Sequence, residues 1–286
     1  MRKVAVAPYL FLLPALAGLL LFKIYPMLSA GWTSLFQLNF AAGGQTFIGL
    51  DNYRALWEDA MFWRSLRTTL VFNLILNPLT VLLAFALALL LNRRIGGTAI
   101  FRSIHFIPVA VSIPTACVLW GIMLNPEQGV VNSMLAGLGL PPQPFLSSDT
   151  QALGSIIGIV AWKSVGYWAI FLLAGLQEVQ AHLYEAASID GAGRWQKFLH
   201  VTWPLLKRPI TFVAVAVTSH HFFLFSPMYI MTQGGPQHST TTLMLESFNS
   251  AFLYSDPGRA SAIVVVLIML TLAMIGLQFR LLRTKH

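Results

Sequence analysis

Between Glu185 and Pro204 the chain reads EAASIDGAGRWQKFLHVTWP, which is E-A-A-x-x-x-G, nine residues, then V-x-W-P. These residue types suit docking rather than bond breaking. Ala186 and Ala187 are small enough for a helix to lie close against a partner surface, and Glu185 offers that surface one carboxylate for a cationic group. Gly191 permits the tight turn that reverses the chain, and Pro204 is expected to end a second helix where the next element begins. Signatures of covalent chemistry are missing. The sequence has no GxxxxGK[ST] phosphate loop, so this chain does not bind ATP in that way, and HExxH, CxxC and GxSxG are absent too. His220 and His221, as neighbours on a helix, point about 100° apart and cannot chelate one ion from the same face. Neither a catalytic residue nor a metal site is expected.

A second set of polar residues sits inside apolar stretches, where polar groups are costly and face a cavity or another helix. Asn73 and Asn77 are four apart, just before Pro78; they line a solute path or satisfy carbonyls freed by the proline, and the latter is preferred. Trp162, Lys163, Tyr167 and Trp168 combine aromatic faces with hydrogen-bonding tips that suit a sugar. Interfacial anchoring explains them nearly as well, unless Lys163 lies deep. In SHHFFLFSPMYIM, Ser219, His220, His221 and Tyr229 stand among phenylalanines, with Pro227 expected to kink the helix. Contact with solute and packing against another helix are equally good readings there.

The elements that position these residues must be membrane spans. Of 286 residues only 28 are charged, 18 basic and 10 acidic, or 10 % against roughly a quarter in soluble domains. With 56 % hydrophobic residues, an ordinary globule would lack the polar surface to cover its core. Charge-poor runs long enough for a helix of about 20 residues give six spans at about 8–30, 69–91, 104–124, 152–174, 209–231 and 260–282 in one transmembrane domain, 1–286. The loop 175–207 between the fourth and fifth spans carries the E-A-A motif, parsed as a short helix through Leu183–Ile189, a glycine turn and a second helix through Trp195–Val201. With the N-terminus inside, Arg2, Lys3, Arg93, Arg94, Arg102, Arg194, Lys197, Lys207, Arg208, Arg280, Arg283 and Lys285 fall on the cytoplasmic side. Arg54, Arg64, Arg67 and Arg259 fall on the other. This bias orients both termini to the cytoplasm, and it accounts for the net charge of +8 without nucleic acid. The first apolar segment exceeds a signal h-region and is read as an uncleaved helix. A short internal loop turns at Gly96 and Gly97. In the first external loop, Phe47, Leu50, Tyr53, Leu56 and Trp57 recur at helical spacing, as expected of an amphipathic helix on the bilayer surface. Cys117 is the sole cysteine, so no disulfide forms within the chain.

The motif at Glu185, Ala186, Ala187, Gly191 and Pro204 resembles the EAA loop of permease subunits in bacterial ATP-binding-cassette importers, with Val201 and Trp203 where that loop usually has Ile and Leu. FIGLDNY, IPVAVS, LNPEQGVVN, AASIDGAGRWQKF and GGPQHSTTTL extend the resemblance to the carbohydrate-uptake group of maltose-type and glycerol-3-phosphate-type permeases, specifically the first permease of the pair. The resemblance implies an all-α integral membrane protein of the type I importer permease fold: six transmembrane helices with a cytoplasmic coupling-helix loop, in the bacterial inner membrane. It also implies a heterodimer with a second permease, two ATPase subunits holding ATP and Mg, and an extracytoplasmic solute-binding protein. The solute is expected to be a sugar or sugar-like compound such as an oligosaccharide or glycerol phosphate. The alternative is a stand-alone secondary carrier or channel. It would need intramembrane acids or an internal repeat, whereas all ten acids fall in loops of this parse.

Overall fold

The computed structural model describes residues 7–39, 44–92 and 98–282. The Gly96–Gly97 turn and the basic residues Arg2, Lys3, Arg93, Arg94, Arg283 and Lys285 lie outside them. The chain forms two compact units, one drawn from Met1–Trp63 and Glu246–Met269, the other from Arg64–Leu245 and Leu270–His286.

The first unit opens on α1 (Ala7–Leu19), a wide turn at Leu20–Ile24 and α2 (Tyr25–Thr33), which run on as one helix. Residues Phe11–Thr33 are long and apolar enough to cross a membrane, and none of the most apolar stretch is buried within the chain. Phe11, Leu21 and Phe22 would be untenable in water at that exposure, so lipid is the solvent this helix requires. The strands β1 (Phe36–Asn39) and β2 (Gly44–Phe47) then pair antiparallel, with Phe36 opposite Phe47. Phe47 therefore belongs to a strand, not to the predicted surface helix. That helix, α3, covers only Asp51–Glu58, because the chain takes a left-handed turn at Gly49 (φ +60°) that no continuing helix accommodates. Leu56 faces inward while Trp57 stays exposed. Asn52 fixes α3 by donating to the carbonyls of Ser34 (2.8 Å) and Phe36 (3.1 Å).

Asp59 caps the next helix, accepting from the Met61 N–H at 2.8 Å. Its other oxygen takes a hydrogen bond from Arg259, whose guanidinium also reaches Glu246 (3.2 Å) and the hydroxyl of Ser250 (3.3 Å). Burial raises the Asp59 carboxyl, and the Arg259 bond with the Met61 N–H outweighs it, so the net displacement is below the usual carboxylate value. A carboxylate depressed in the folded protein contributes stability that is present above the unfolded value of about 4 and is lost as pH falls through the folded one.

The second unit is built from long helices. α4 (Ala60–Leu91) enters it, followed by α5 (Thr98–Ala110), α6 (Ile113–Met123), α7 (Val130–Gly137) and α8 (Ala152–Gln177). Next come α9 (Ala181–Ile189), α10 (Arg194–Lys197) and α11 (Trp203–His221), while α12 (Leu243–Phe248) and α13 (Pro257–Leu282) are divided between the units, α13 belonging to this one from Leu270 onward. α4, α8 and α11 pack one apolar core through Leu87, Leu91, Leu172, Leu206, Val213 and Val217. A second cluster gathers Phe72, Leu76, Ile156, Val160, Met228 and Leu245. Small residues set how near the helices come. A Cβ at Gly166 would collide with the His105 carbonyl oxygen, and one at Gly175 would come within 2.7 Å of the Pro209 ring.

Among the described residues four helices are long and apolar enough to span: Phe11–Thr33, Ala60–Leu91, Ala152–Gln177 and Pro257–Leu282. The predicted third span is instead two helices, α5 and α6, bent by 98°. Ser112 caps the second, accepting from the Thr115 N–H at 3.2 Å, and Pro114 sits in its first turn, so the chain restarts a helix here instead of continuing one. The predicted fifth span stops as a helix at His221, and a wide turn at Met228–Thr232 follows Pro227.

Gly166→Ala should cost about 1–3 kcal/mol and lower the melting temperature of the detergent-solubilised protein, whereas Gly158→Ala, on the same helix with nothing within 4 Å of its added carbon, should not. The melting temperature should also fall on acidification through about pH 4, and Asp59→Asn should flatten that acid arm.

Candidate functional site

The E-A-A loop forms a rigid corner. α9 ends in a Schellman turn: the Ala192 N–H bonds the Ala187 carbonyl (2.8 Å), the Gly191 N–H bonds that of Ser188 (3.1 Å), and Gly191 stands at φ +76°. Gly193 opens α10, its N–H held by the Gln196 side chain at 2.8 Å. Lys197 donates to Ser188 Oγ (2.7 Å), and the hydroxyls of Tyr184 and Thr202 bond at 2.9 Å, tying the two arms together. Glu185 and Ala186 are exposed, Ala187 half-buried. No ion pair engages Glu185 among the described residues, so its carboxylate is presented outward.

Pro204 does not end the second helix. α10 passes through a wide turn, Phe198–Thr202, straight into α11, with Pro204 in the first turn of the latter. Proline is tolerated there because the wide turn, in which the Trp203 N–H bonds the Phe198 carbonyl five residues back, gives its ring room. The helix that starts at the loop thus reaches the unit's interior at His221.

Asn73, Asn77 and His221 meet there. The Asn73 amide donates to the Thr69 carbonyl (2.9 Å), fixing which of its atoms is oxygen; that oxygen accepts from Asn77 Nδ2 (3.3 Å), which also reaches Thr218 Oγ1 (3.3 Å). Asn77 Oδ1 is left to accept from His221 Nδ1 at 2.8 Å. The asparagines do not serve the carbonyl freed by Pro78, which belongs to Leu74, one turn earlier; they bind α4 to α11. Gln278 on α13 joins them, donating to Thr218 Oγ1 at 2.6 Å. Sequence reasoning missed Thr218 and Gln278, although a single amide at the end of the stretch 260–278, whose other polar side chains are the hydroxyls of Ser261 and Thr271, is a visible signal.

The other candidates are scattered. Ser219 and His220 are exposed, and Ser219 bonds its own helix at Val215. Tyr229 is exposed and stacks on Phe225 (4.9 Å). Trp162 and Tyr167 are exposed while Trp168 is buried, Trp162 meeting Trp120 edge-on at 5.4 Å and Tyr167 meeting Trp168 at 4.9 Å. No cluster of three or more metal-ligating side chains occurs among the described residues.

Comparison with known proteins places this arrangement. The chain is 36 % identical over 284 residues to the probable ABC transporter permease protein YurN of Bacillus subtilis, covering 98 % of this chain and 97 % of that one. It is 35 % identical over 266 residues to the trehalose/maltose transport system permease protein MalF of Thermococcus litoralis, covering 93 % and 90 %. In three dimensions it resembles a chain of a bacterial ABC transporter involved in the import of the acidic polysaccharide alginate, with TM-score 0.80, 25 % identity and coverage of 97 % and 95 %. Residues 80–284 match the binding-protein-dependent transport system inner membrane component, and on that match and these identities the chain belongs to that family of multi-pass membrane permeases.

Proposed function

We propose that this chain is the translocation subunit of an ATP-driven importer, forming with a second permease the path for a sugar or sugar-like solute. The observation that carries the reading is the corner at Gly191. It presents Glu185 and Ala186 outward and is hydrogen-bonded to a helix that continues into the packed unit. The loop 175–207 docks in the cytoplasm on two partner ATPase subunits, which bind ATP and Mg and perform the hydrolysis. Closure of those subunits moves the corner as a rigid body, and α11 carries the movement inward. Six crossings result when α5 and α6 count as one and α11 with the turn after Pro227 as another, and both termini are then cytoplasmic in the bacterial inner membrane. An extracytoplasmic binding protein delivers the solute. The trehalose and maltose of the Thermococcus relative and the alginate of the solved neighbour support a carbohydrate class.

Glu185→Lys, in the complete complex reconstituted in vesicles, should lower solute uptake about tenfold or more by placing like charge at the contact and should uncouple ATP hydrolysis from stimulation by the binding protein. Gly191→Ala should do so more mildly, since a Cβ at its positive φ costs about 1 kcal/mol. Uptake and stimulation unchanged in both variants would refute the docking role.

A further inference from the structure

Lys163 is the twelfth of the 26 residues of α8, so on a spanning helix it lies near the bilayer midplane. An ammonium at that depth normally pairs with a carboxylate or backbone carbonyl, and an intramembrane cation lacking an acid partner marks a functional position. No carboxylate lies within ion-pair distance of Lys163 among the described residues. Its Nζ donates to the Pro108 carbonyl at 3.2 Å, at the C-terminal end of α5, just before the bend into α6. An ammonium has three N–H groups, so this bond leaves donors for a further acceptor.

Lys163 also lines a small open cleft of about 30 Å³ together with Cys117, Ser164, His220, His221 and Pro227. His221 supplies the second half of the chemistry. The amide order set by the Thr69 carbonyl gives Nδ1 the proton, and the side chain is 1 % exposed while its Nε2 has no partner. In the neutral ring that atom carries a lone pair, which suits a donor such as a hydroxyl. Ser164 spends its proton on the Val160 carbonyl at 2.7 Å, and the exposed His220 adds a second imidazole to the lining. The cleft thus joins one cation to imidazole groups among apolar side chains, a pairing that matches a compound bearing both an acidic group and free hydroxyls.

We propose that Lys163 is a specificity-determining residue of the translocation path, reading the carboxylate or phosphate of an anionic polyhydroxylated solute while His221 Nε2 accepts one of its hydroxyls. This rests on the importer reading and names the solute's charge class. The acid group takes the donors that the Pro108 carbonyl leaves free on the same ammonium, so recognition at the cleft is coupled to the tie that holds the α5–α6 bend.

The test uses the complete importer in proteoliposomes with its binding protein, and four probes: sn-glycerol 3-phosphate and an alginate oligosaccharide as anions, trehalose and maltose as neutral sugars. Lys163→Gln removes the charge but keeps an amide donor for Pro108, so it preserves the bend, and Lys163→Arg keeps the charge. Uptake of an anionic probe is expected, reduced about tenfold or more by Lys163→Gln and by less than about threefold by Lys163→Arg, with the melting temperature of the complex unchanged. Uptake of neutral sugars alone, or anion uptake by Lys163→Gln at the unmodified rate, overturns the inference and leaves the importer reading standing. Uptake of no probe, together with no ATP hydrolysis stimulated by the binding protein, overturns the importer reading and this inference with it.

Discussion

Within a bilayer a polar group left without a partner inside the protein is costly, because no water is available to replace it. That constraint organises the second unit. The Thr69 carbonyl, Asn73, Asn77, His221, Thr218 and Gln278 form one connected set of hydrogen bonds, drawing three helices to common points that apolar packing alone would leave free to slide. Apolar side chains against lipid gain little from choosing one neighbour over another. Amides do gain, so the connected set specifies which face of α4 meets α11 and which face of α13 meets Thr218. The first unit obeys the same rule with charges: the guanidinium of Arg259 is shared among Asp59, Glu246 and Ser250, and Glu246 is only 1 % exposed.

Glycine supplies the complementary constraint by setting distance. At Gly166 and Gly175, α8 approaches α5 and α11 so closely that the facing groups are a main-chain carbonyl and a proline ring. Backbone contact of this kind excludes flexible side chains from the seam, and dispersion across it falls steeply with a small gap. The seams are accordingly stiff where a glycine sits and softer where long side chains intervene.

The corner at Gly191 was legible in the sequence because its parts are local. Glu185, two alanines, and a glycine at a fixed distance encode a helix and its stop, and the Schellman bonds at Gly191 are what that order of residues produces. The apolar runs likewise located the helices α4, α8 and α13. Less was legible where the outcome depended on backbone detail or on distant partners. Pro204 reads as a terminator, yet the wide turn Phe198–Thr202 carries the helix past it, and no residue pattern announces such a turn. Phe47 fits helical spacing with Leu50 and Tyr53, but the positive φ of Gly49 ends that register. The two histidines were singled out together; the rotation of about 100° between neighbours on a helix then sorted them, burying His221 against Asn77 and leaving His220 exposed. Which one turned inward depended on α4, more than a hundred residues away.

That junction limits where the second unit can bend. From Arg194 to His221 the helix runs 28 residues, or about 42 Å at 1.5 Å per residue, so a tilt of about 5° imposed at its Arg194 end displaces the far end by about 3.7 Å. A displacement of that size breaks the 2.8 Å bond between His221 and Asn77 unless α4 moves with α11. The apolar cluster that joins Leu87 and Leu91 to Leu206, Val213 and Val217 makes separation costly, since each buried leucine would lose about 1.5–3 kcal/mol of burial. α4, α8 and α11 therefore move as one body. Relative motion within this unit falls to the α5–α6 bend, which meets α8 through the backbone contact at Gly166 and the bond from Lys163 to Pro108. Of those two ties only the second can be exchanged for another partner without moving a main chain, and it is the one that borders the cleft.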